Sequence, residues 1–299
     1  MPSSISNSDR TISFPLRVGL GTCVLVLLYG AFIAAIRPDW TVSYDAGTRN
    51  RAVAERFIDG WHGDAVLVGS SIAFILSKEF MRTDDLGPNI YNLGLSGGHA
   101  ATGLDIIIRK REWPRRVFVE MNVMDRGYDL EFARRRFSEP WRTVRTIVPA
   151  MRLEYRPFDL AIVALWKLLR GARGSEITTE RAFTPNPTHS TDEQQIDGSY
   201  RAQIDASLKT IQEQIAVLRD HDVRIVLVRF PAHPAIEADP RTRYLWQKIY
   251  DAFPPKQYEW LEPGKDESFE IPDGIHLSIP SARRFAAILR KFAGDNDRR

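Results

Sequence analysis

The chain has 299 residues, of which 43% are hydrophobic and 26% are charged, a balance that excludes both a disordered chain and a polytopic membrane protein. Its 41 Lys and Arg residues against 38 Asp and Glu residues leave a net charge of +3, too small an excess for a dedicated nucleic-acid-binding protein. A single cysteine excludes a disulfide framework within the chain and a cysteine-based zinc site. The six histidines lack metal-ligand spacing, and no metal or organic cofactor is implied by the sequence.

The first element in chain order is an uncharged apolar run over residues 18–36, which follows a short tail of residues 1–17. As a helix, the run would span roughly 28 Å, close to the hydrocarbon thickness of a bilayer. A buried core helix is seldom apolar on every face. The apolar region of a cleaved signal peptide is usually shorter, although Ala31, Ala34 and Ala35 offer a weak cleavage site. The favoured interpretation is a transmembrane anchor in the lipid bilayer.

The charges that flank the apolar run leave its orientation open. More arginines follow the run than precede it, and by the positive-inside rule this favours a cytoplasmic C-terminal domain. Long domains, however, are translocated largely regardless of their charge. Either side of the membrane is therefore compatible with the flanking sequence.

After a membrane-proximal segment of residues 37–63, apolar runs and helical patterns alternate along the chain. Short apolar runs typical of buried strands lie at residues 65–69, 89–94, 116–121, 224–230 and, more weakly, 258–262. Helical patterns lie at residues 49–62, 72–81, 100–110, 204–218, 241–252 and 278–292. This alternation predicts an α/β fold with a parallel sheet that is covered by helices.

The predicted domain, residues 64–299, contains a long insertion between its third and fourth strands. Residues 128–202 form this insertion of roughly 75 residues, whereas ordinary connections have about 2–6, so we predict an inserted cap. It holds a basic, aromatic stretch at 132–145 and an apolar run at 159–169 that is too short to span a bilayer. Two interpretations stay open: a surface that contacts lipid headgroups, an acidic glycan or a membrane protein partner, and a solvated helical cap packed on the sheet.

Residues that can carry chemistry stand near both ends of the predicted domain. Ser70 and Ser71 lie at the turn from the first strand into a helix, where free backbone N–H groups can stabilise a developing oxyanion. Asp273 and His276 are three residues apart ahead of the last helix, a spacing that lets the carboxylate reach the Nδ1–H of the imidazole. Each segment alone is compatible with an ordinary helix cap or loop, but each strengthens the catalytic interpretation of the other.

Together, the two segments resemble the SGNH (GDSL-like) hydrolase superfamily. Gly69-Ser70-Ser71 stands where that family has Gly-Asp-Ser, and the final Asp-x-x-His motif is present. The resemblance implies a flavodoxin-like, three-layer α/β sandwich. It also implies that Ser71 is the nucleophile, that His276 is the general base and that Asp273 orients the imidazole.

The family's oxyanion hole is matched only in part. The segment NLGLSGG resembles the second block of the family, and places Gly97 where a backbone N–H joins that of Ser71 in the oxyanion hole. The third block departs from the family, which typically has Gly-x-Asn-Asp, because this chain has VFVEMNVMDRG. Strict register puts Met124 at the asparagine position, and Asn122 lies two residues earlier. Whether Asn122 supplies the third donor stays open.

The predicted topology brings these segments to one crevice. In a flavodoxin-like sheet with strand order 2-1-3-4-5, ligands bind beyond the carboxyl ends of strands 1 and 3. Ser71, Gly97 and Asn122 follow strands 1, 2 and 3. His99 and His233 are candidate substrate contacts at the same edge, although ordinary loop roles also suit them.

The resemblance implies acyl-ester chemistry through an acyl-enzyme. Transfer of the acyl group to water would make the protein an esterase, and transfer to a sugar hydroxyl would make it an O-acyltransferase. Membrane-anchored relatives add or remove acetyl groups on cell-envelope or exported polysaccharides, which implies a glycan ester substrate and an extracytoplasmic, periplasmic domain. Two alternatives remain: a membrane-tethered scaffold or glycan-binding module on a degenerate hydrolase fold, and a lipase-like enzyme that faces the cytoplasm.

Overall fold

The computed structural model describes residues 14–36, 46–76, 89–148, 152, 196–264 and 268–295. These residues fall into two compact units. One unit contains the first helix together with residues 143–148 and 152, and the other contains the remaining described residues.

Helix α1 (Phe14–Ile36) corresponds to the predicted anchor and begins four residues earlier than the apolar run. Its segment Phe14–Ile33 is long and apolar enough to cross a membrane, and only 6% of that window is buried. At 1.5 Å per residue, the helix is about 34 Å long. Leu25 and Leu27 are 68% and 72% exposed, which a buried core helix would not allow. The helix therefore has the length and surface expected of a single membrane-spanning segment.

The second unit is built on a five-stranded parallel sheet with the order β2-β1-β3-β4-β5. Its strands are β1 (Ala65–Gly69), β2 (Ile90–Gly94), β3 (Arg116–Glu120), β4 (Arg224–Val228) and β5 (Glu259–Leu261). Every residue of β1 is buried, which explains why this strand appears in the sequence as a continuous apolar run. Strand β3 is also buried throughout, with three apolar residues between Arg116 and Glu120. The predicted α/β class, strand positions and strand order are confirmed.

Helices cover both faces of the sheet. Among the described residues, the remaining helices are α2 (Ala46–Gly60), α3 (Ser71–Phe74), α4 (Ala100–Lys110), α5 (Leu130–Arg136), α6 (Trp141–Ile147), α7 (Gly198–Arg219), α8 (Pro234–Glu237), α9 (Pro240–Ala252) and α10 (Ile279–Asp295). Helix α3 ends at Phe74, so the prediction of a helix over 72–81 was too long there, and residues 77–81 lie outside the described residues.

Alternate residues of each strand enter two separate apolar cores. Val66 and Val68 of β1 face the first core, which is filled by α2, α4, α7 and α9. Ala65 and Leu67 face the second core, which is filled by α3 and α10. A fully buried side chain such as Leu67 contributes roughly 1.5–3 kcal/mol to stability, so both faces hold the sheet rigid beneath its carboxyl edge.

Only part of the predicted cap is described. Its basic stretch at 132–145 lies on α5, α6 and the turn between them. Arg134 and Arg135 on α5 both pair with Glu131 and are 70% exposed, as on a solvated helix face. The apolar run at 159–169 lies outside the described residues.

Candidate active site

The turn from β1 into α3 places two adjacent serines in different surroundings. Ser70 caps α3, where its hydroxyl accepts a hydrogen bond from the Ile72 N–H at 3.1 Å, and its side chain is fully buried. Ser71 is the first residue of α3 and is partly exposed. Its Oγ lies 2.9 Å from Nε2 of His276, which is 205 residues away in the sequence. The fold thus brings the two predicted catalytic segments into direct contact through Ser71.

His276 is held in turn by Asp273. The Nδ1–H of His276 donates to Oδ2 of Asp273 over 2.6 Å. The other carboxylate oxygen, Oδ1, accepts from the backbone N–H groups of Ile275 at 3.0 Å and His276 at 2.7 Å. Burial by itself would raise the pKa of Asp273, but these N–H donors outweigh it and hold that pKa below its ordinary value. Because Asp273 accepts a hydrogen bond from Nδ1–H, the ring proton stays on Nδ1 and the Nε2 lone pair faces the Ser71 hydroxyl.

Backbone hydrogen bonds fix the loop that carries Asp273 and His276. Ser278 N–H donates to the Glu270 carbonyl at 2.9 Å and closes the loop at its base. Gly274, with φ of 86°, donates to the Ile271 carbonyl at 3.1 Å, and this left-handed conformation suits glycine. Leu277 is fully buried in the second core and anchors the loop beside His276. The imidazole therefore stands on a rigid support.

Gly97, the predicted oxyanion-hole residue, lies in an exposed turn beyond β2. The turn runs from Leu95 to Gly98 and is closed by a Gly98 N–H bond to the Leu95 carbonyl at 2.7 Å. Gly97 has φ of 69°, as at the third position of a type II turn. A second bond, from the Leu95 N–H to the Gly69 carbonyl at 2.9 Å, ties this turn to the end of β1. Gly97 and Ser71 thus follow paired ends of neighbouring strands.

Asn122 continues the sheet beyond β3. Its Nδ2 donates to the Phe230 carbonyl at 2.8 Å, and its Oδ1 accepts from the Phe230 N–H at 2.8 Å. These two bonds join the carboxyl ends of β3 and β4. The role of Asn122 in the oxyanion hole stays a prediction, since the observed contacts of its amide are structural. Met124, at the strict motif position, is fully buried in the first core.

His99 has a structural role rather than a place in an open crevice. It is fully buried and caps α4, where its Nδ1 accepts from the Ala101 N–H at 3.0 Å. Burial lowers the pKa of His99 to about 4, so the ring is neutral at physiological pH. The ring also packs against Tyr128, with the ring centroids 5.7 Å apart. The predicted substrate contact through His99 stays a prediction, and the observed contacts of the ring are structural.

His233 supports the loop that carries Asp273 and His276 through its backbone. Its N–H donates to the Gly274 carbonyl at 3.1 Å, next to Asp273. Its Nδ1 accepts from the Ala235 N–H at 3.2 Å and caps the short helix α8. The side chain is partly exposed, and its predicted contact with substrate stays a prediction.

Glu120, the last residue of β3, is a site residue that the sequence reasoning missed. Its carboxylate is completely buried beneath the serine turn. It accepts from the Ser70 N–H at 2.6 Å, from the Ser70 hydroxyl at 2.9 Å and from the Ala73 N–H at 3.3 Å. These bonds join the end of β3 to the turn that presents Ser71. A glutamate directly after the apolar residues of a buried strand was the available signal, because charged residues are seldom buried without partners.

The burial of Glu120 also explains the glycine that precedes the two serines. A Cβ on Gly69 would overlap the Glu120 carboxylate, so only glycine lets the carboxylate approach the end of β1. Removal from water raises the pKa of Glu120, and the donors of Ser70 and Ala73 oppose that rise only in part. Arg126 also acts to lower this pKa.

Comparisons with known proteins add no family assignment. No protein-family model matches the chain, and no curated protein matches it either. Within the described residues, no group of three or more His, Cys, Asp or Glu side chains is arranged to hold a metal ion.

Proposed function

We propose that this protein carries out acyl-ester chemistry with Ser71 as the nucleophile. The observation that supports the proposal is the hydrogen-bonded series from Ser71 Oγ to His276 Nε2, at 2.9 Å, and from His276 Nδ1 to Asp273 Oδ2, at 2.6 Å. A nucleophile, a base and a group that orients the base are the elements of serine acyl transfer. Their order along the chain also agrees with the resemblance to SGNH hydrolases.

In the proposed mechanism, His276 Nε2 takes the Ser71 hydroxyl proton as Oγ attacks the ester carbonyl carbon. The carbonyl oxygen becomes an oxyanion, which the backbone N–H groups of Ser71 and Gly97 would stabilise. His276 then gives its proton to the leaving alcohol oxygen as the ester C–O bond breaks, and an acyl-Ser71 ester remains. Asp273 keeps the imidazole in the required tautomer and stabilises the imidazolium ion.

The second half-reaction sets the type of enzyme. An incoming water or sugar hydroxyl gives its proton to His276 and attacks the acyl-Ser71 carbonyl, and Ser71 regains its proton. We propose acetylated cell-envelope or exported glycans as substrates, since the resemblance and the candidate membrane span of α1 both favour them. On the same grounds, we propose that the catalytic unit is extracytoplasmic.

The first experiment compares the purified full chain with Ser71→Ala and His276→Ala variants in the hydrolysis of p-nitrophenyl acetate. We expect each variant to lose about 10⁴- to 10⁶-fold in kcat. Ser138→Ala is the matched control, because Ser138 is exposed and its hydroxyl contacts only the local Arg135 carbonyl among the hydrogen bonds observed. A parent protein without turnover would reject the proposal in favour of a non-catalytic scaffold, and a Ser71→Ala variant as active as the control would reject Ser71 as the nucleophile.

A second experiment separates the two acceptors and the two membrane sides. Acetylated and unmodified glycan are each incubated with the protein and an acetyl donor, and free acetate and glycan-bound acetyl groups are measured. Glycan-bound product indicates a transferase, and acetate alone indicates an esterase. A C-terminal alkaline phosphatase fusion that is active in cells supports the extracytoplasmic side, and an inactive fusion contradicts it.

A further inference from the structure

The turn that contains Gly97 is held by a side chain from a distant helix. Asn50 on α2 donates from Nδ2 to the Ser96 carbonyl at 2.9 Å. Its Oδ1 accepts from the Ser96 N–H at 2.8 Å. The side-chain amide thus pairs with both the N–H and the carbonyl of the Ser96 backbone, as a residue on a neighbouring strand would. Asn50 is 46 residues away from Ser96 in the sequence, so this contact exists only in the folded protein.

The bond to the Ser96 carbonyl determines the direction of the Gly97 N–H. These two groups belong to the same peptide unit, which is planar and trans, so they point in opposite directions. When Asn50 holds the carbonyl oxygen towards α2, the Gly97 N–H must point away from α2. The orientation of one hydrogen-bond donor is therefore set by a side chain that does not touch that donor.

This peptide unit needs an external constraint. It is the central peptide of the Leu95–Gly98 turn, and type I and type II turns differ by a flip of about 180° of that peptide. Glycine at the third position tolerates both conformations, so Gly97 itself gives little preference. Apart from the glycine and its chain neighbours, no described heavy atom lies within 4 Å of a Cβ built on Gly97, so this side of the turn is open.

Helix α2 provides a firm base for Asn50. Phe57 and Ala54 are fully buried in the first core. The Tyr91 hydroxyl of β2 donates to the Val53 carbonyl at 2.7 Å. The buried Lys110 donates from Nζ to the Phe57 carbonyl at 2.9 Å. The helix is therefore fixed on the sheet at several points along its length.

We propose that Asn50 is a positioning residue that orients the Gly97 N–H for oxyanion stabilisation. The inference rests on the proposed function, because it requires an oxyanion at this site. Asn50 contacts neither substrate nor the reacting atoms, and acts through the Ser96–Gly97 peptide. The removal of an oxyanion donor lowers rates by about 100- to 1,000-fold. Without Asn50, the Gly97 N–H is still present and points in the correct direction for part of the time, so the loss of rate should be smaller.

The test measures kcat and KM of the full chain and three variants with p-nitrophenyl acetate. For Asn50→Ala, we expect kcat to fall about 10- to 100-fold while KM changes less than about threefold, since the lost interaction acts in the transition state. Asn50→Asp keeps an acceptor for the Ser96 N–H but loses the donor for the Ser96 carbonyl. We expect it to match Asn50→Ala, because the carbonyl bond sets the peptide direction.

Tyr91→Phe is the matched control, because it removes a different hydrogen bond to α2 and leaves the Ser96 contacts in place. We expect it to lower the melting temperature about as much as Asn50→Ala does, with kcat unchanged. As an independent readout, the Ki of a boronic acid that forms a tetrahedral serine adduct should rise in Asn50→Ala by about the factor by which kcat falls.

The outcomes separate the two proposals. If the parent has no serine-dependent turnover, the proposed function itself fails. If the parent is active but Asn50→Ala retains its kcat, or loses no more than Tyr91→Phe, the positioning role of Asn50 is wrong. Parent-like kcat in Asn50→Asp would also overturn it, because the Ser96 carbonyl bond would then be irrelevant.

Discussion

The candidate site has a partly exposed rim and a buried floor, and each contains one carboxylate. The rim consists of Ser71, His276 and Asp273, and the floor consists of Ser70 and Glu120. Rim side chains remain open to solvent, with His276 and Asp273 27% and 31% exposed. The floor side chains are fully buried. Adjacent serines on one turn thus face a solvent-accessible imidazole in one case and a buried carboxylate in the other.

Burial raises the pKa of a carboxyl group and N–H donors lower it, and the balance differs between Asp273 and Glu120. Asp273 is incompletely buried, and its N–H donors hold its pKa below the ordinary value. Glu120 also accepts several hydrogen bonds, but complete burial outweighs them and raises its pKa. We therefore expect variants of the rim mainly to change kcat, and variants of the floor mainly to change the free energy of unfolding and its pH dependence.

The largest effect expected from changing a carboxylate lies in the rim. Asp273→Asn replaces an acceptor with a side chain that favours the wrong imidazole tautomer, and we expect kcat to fall about 10⁴-fold. Folding lowers the pKa of Asp273, so its carboxylate stabilises the folded protein at pH values above the ordinary pKa of Asp. This stabilisation is lost as the pH falls through the lower pKa of the folded state. Steady-state kinetics, with urea denaturation at several acidic pH values, check both effects. An Asp273→Asn variant with parent-like kcat would contradict the rim assignment.

The next effect is expected in the floor. In Glu120→Gln, a neutral amide replaces the carboxyl group, and its oxygen can still accept from the Ser70 and Ala73 N–H groups, so the unfolding free energy should change by no more than roughly 1 kcal/mol near pH 4.5. Folding raises the pKa of Glu120. The unfolding free energy of the parent should therefore fall, relative to that of the variant, as the pH rises from the ordinary pKa of Glu through the higher pKa of the folded state. Over that pH range the variant should gain about 1.4 kcal/mol of unfolding free energy on the parent for each unit by which folding raises the pKa of Glu120.

Urea denaturation of the parent and Glu120→Gln between pH 4.5 and 7.5 measures this trend. Glu213→Gln, at a glutamate that is 66% exposed, is the matched control. A pH-independent difference between parent and Glu120→Gln would contradict the raised pKa of the floor carboxylate.

The smallest effect is expected at His99, near the first core. His99→Ala removes the cap of α4 and should lower the free energy of unfolding by about 1 kcal/mol, whereas His99→Asn should restore most of it. We expect KM for p-nitrophenyl acetate to stay unchanged in both variants, since the ring is buried. A severalfold rise of KM in His99→Asn would instead support a direct contact between His99 and the substrate.

Much of this site could be predicted because its residues follow local rules. Short apolar runs gave the strand positions, since parallel strands covered on both faces bury every side chain. Ser71, Asp273 and His276 were found because they belong to motifs with characteristic spacing beside a strand or helix. The short helix α3 was predicted too long, because its apolar residues continue past Phe74 where the helix ends.

The supporting residues could not be predicted in the same way. Glu120 gains its role from Ser70, 50 residues away, and Asn50 gains its role from Ser96. Neither has a spacing motif, and each looks like an ordinary polar residue until the sheet brings its partner close. The burial of His99 has the same origin, because proximity to Gly97 in sequence did not reveal that its ring is shielded from solvent.

The most direct test of the central claim is to identify the serine that reacts. The full chain is treated with a fluorophosphonate, digested and analysed by tandem mass spectrometry, with Ser71→Ala and His276→Ala proteins treated in parallel. The account predicts a phosphonyl adduct on Ser71 and not on the neighbouring Ser70, and loss of that adduct in both variants. Absence of any adduct in the folded parent, or an adduct on another serine that persists in Ser71→Ala, would contradict it.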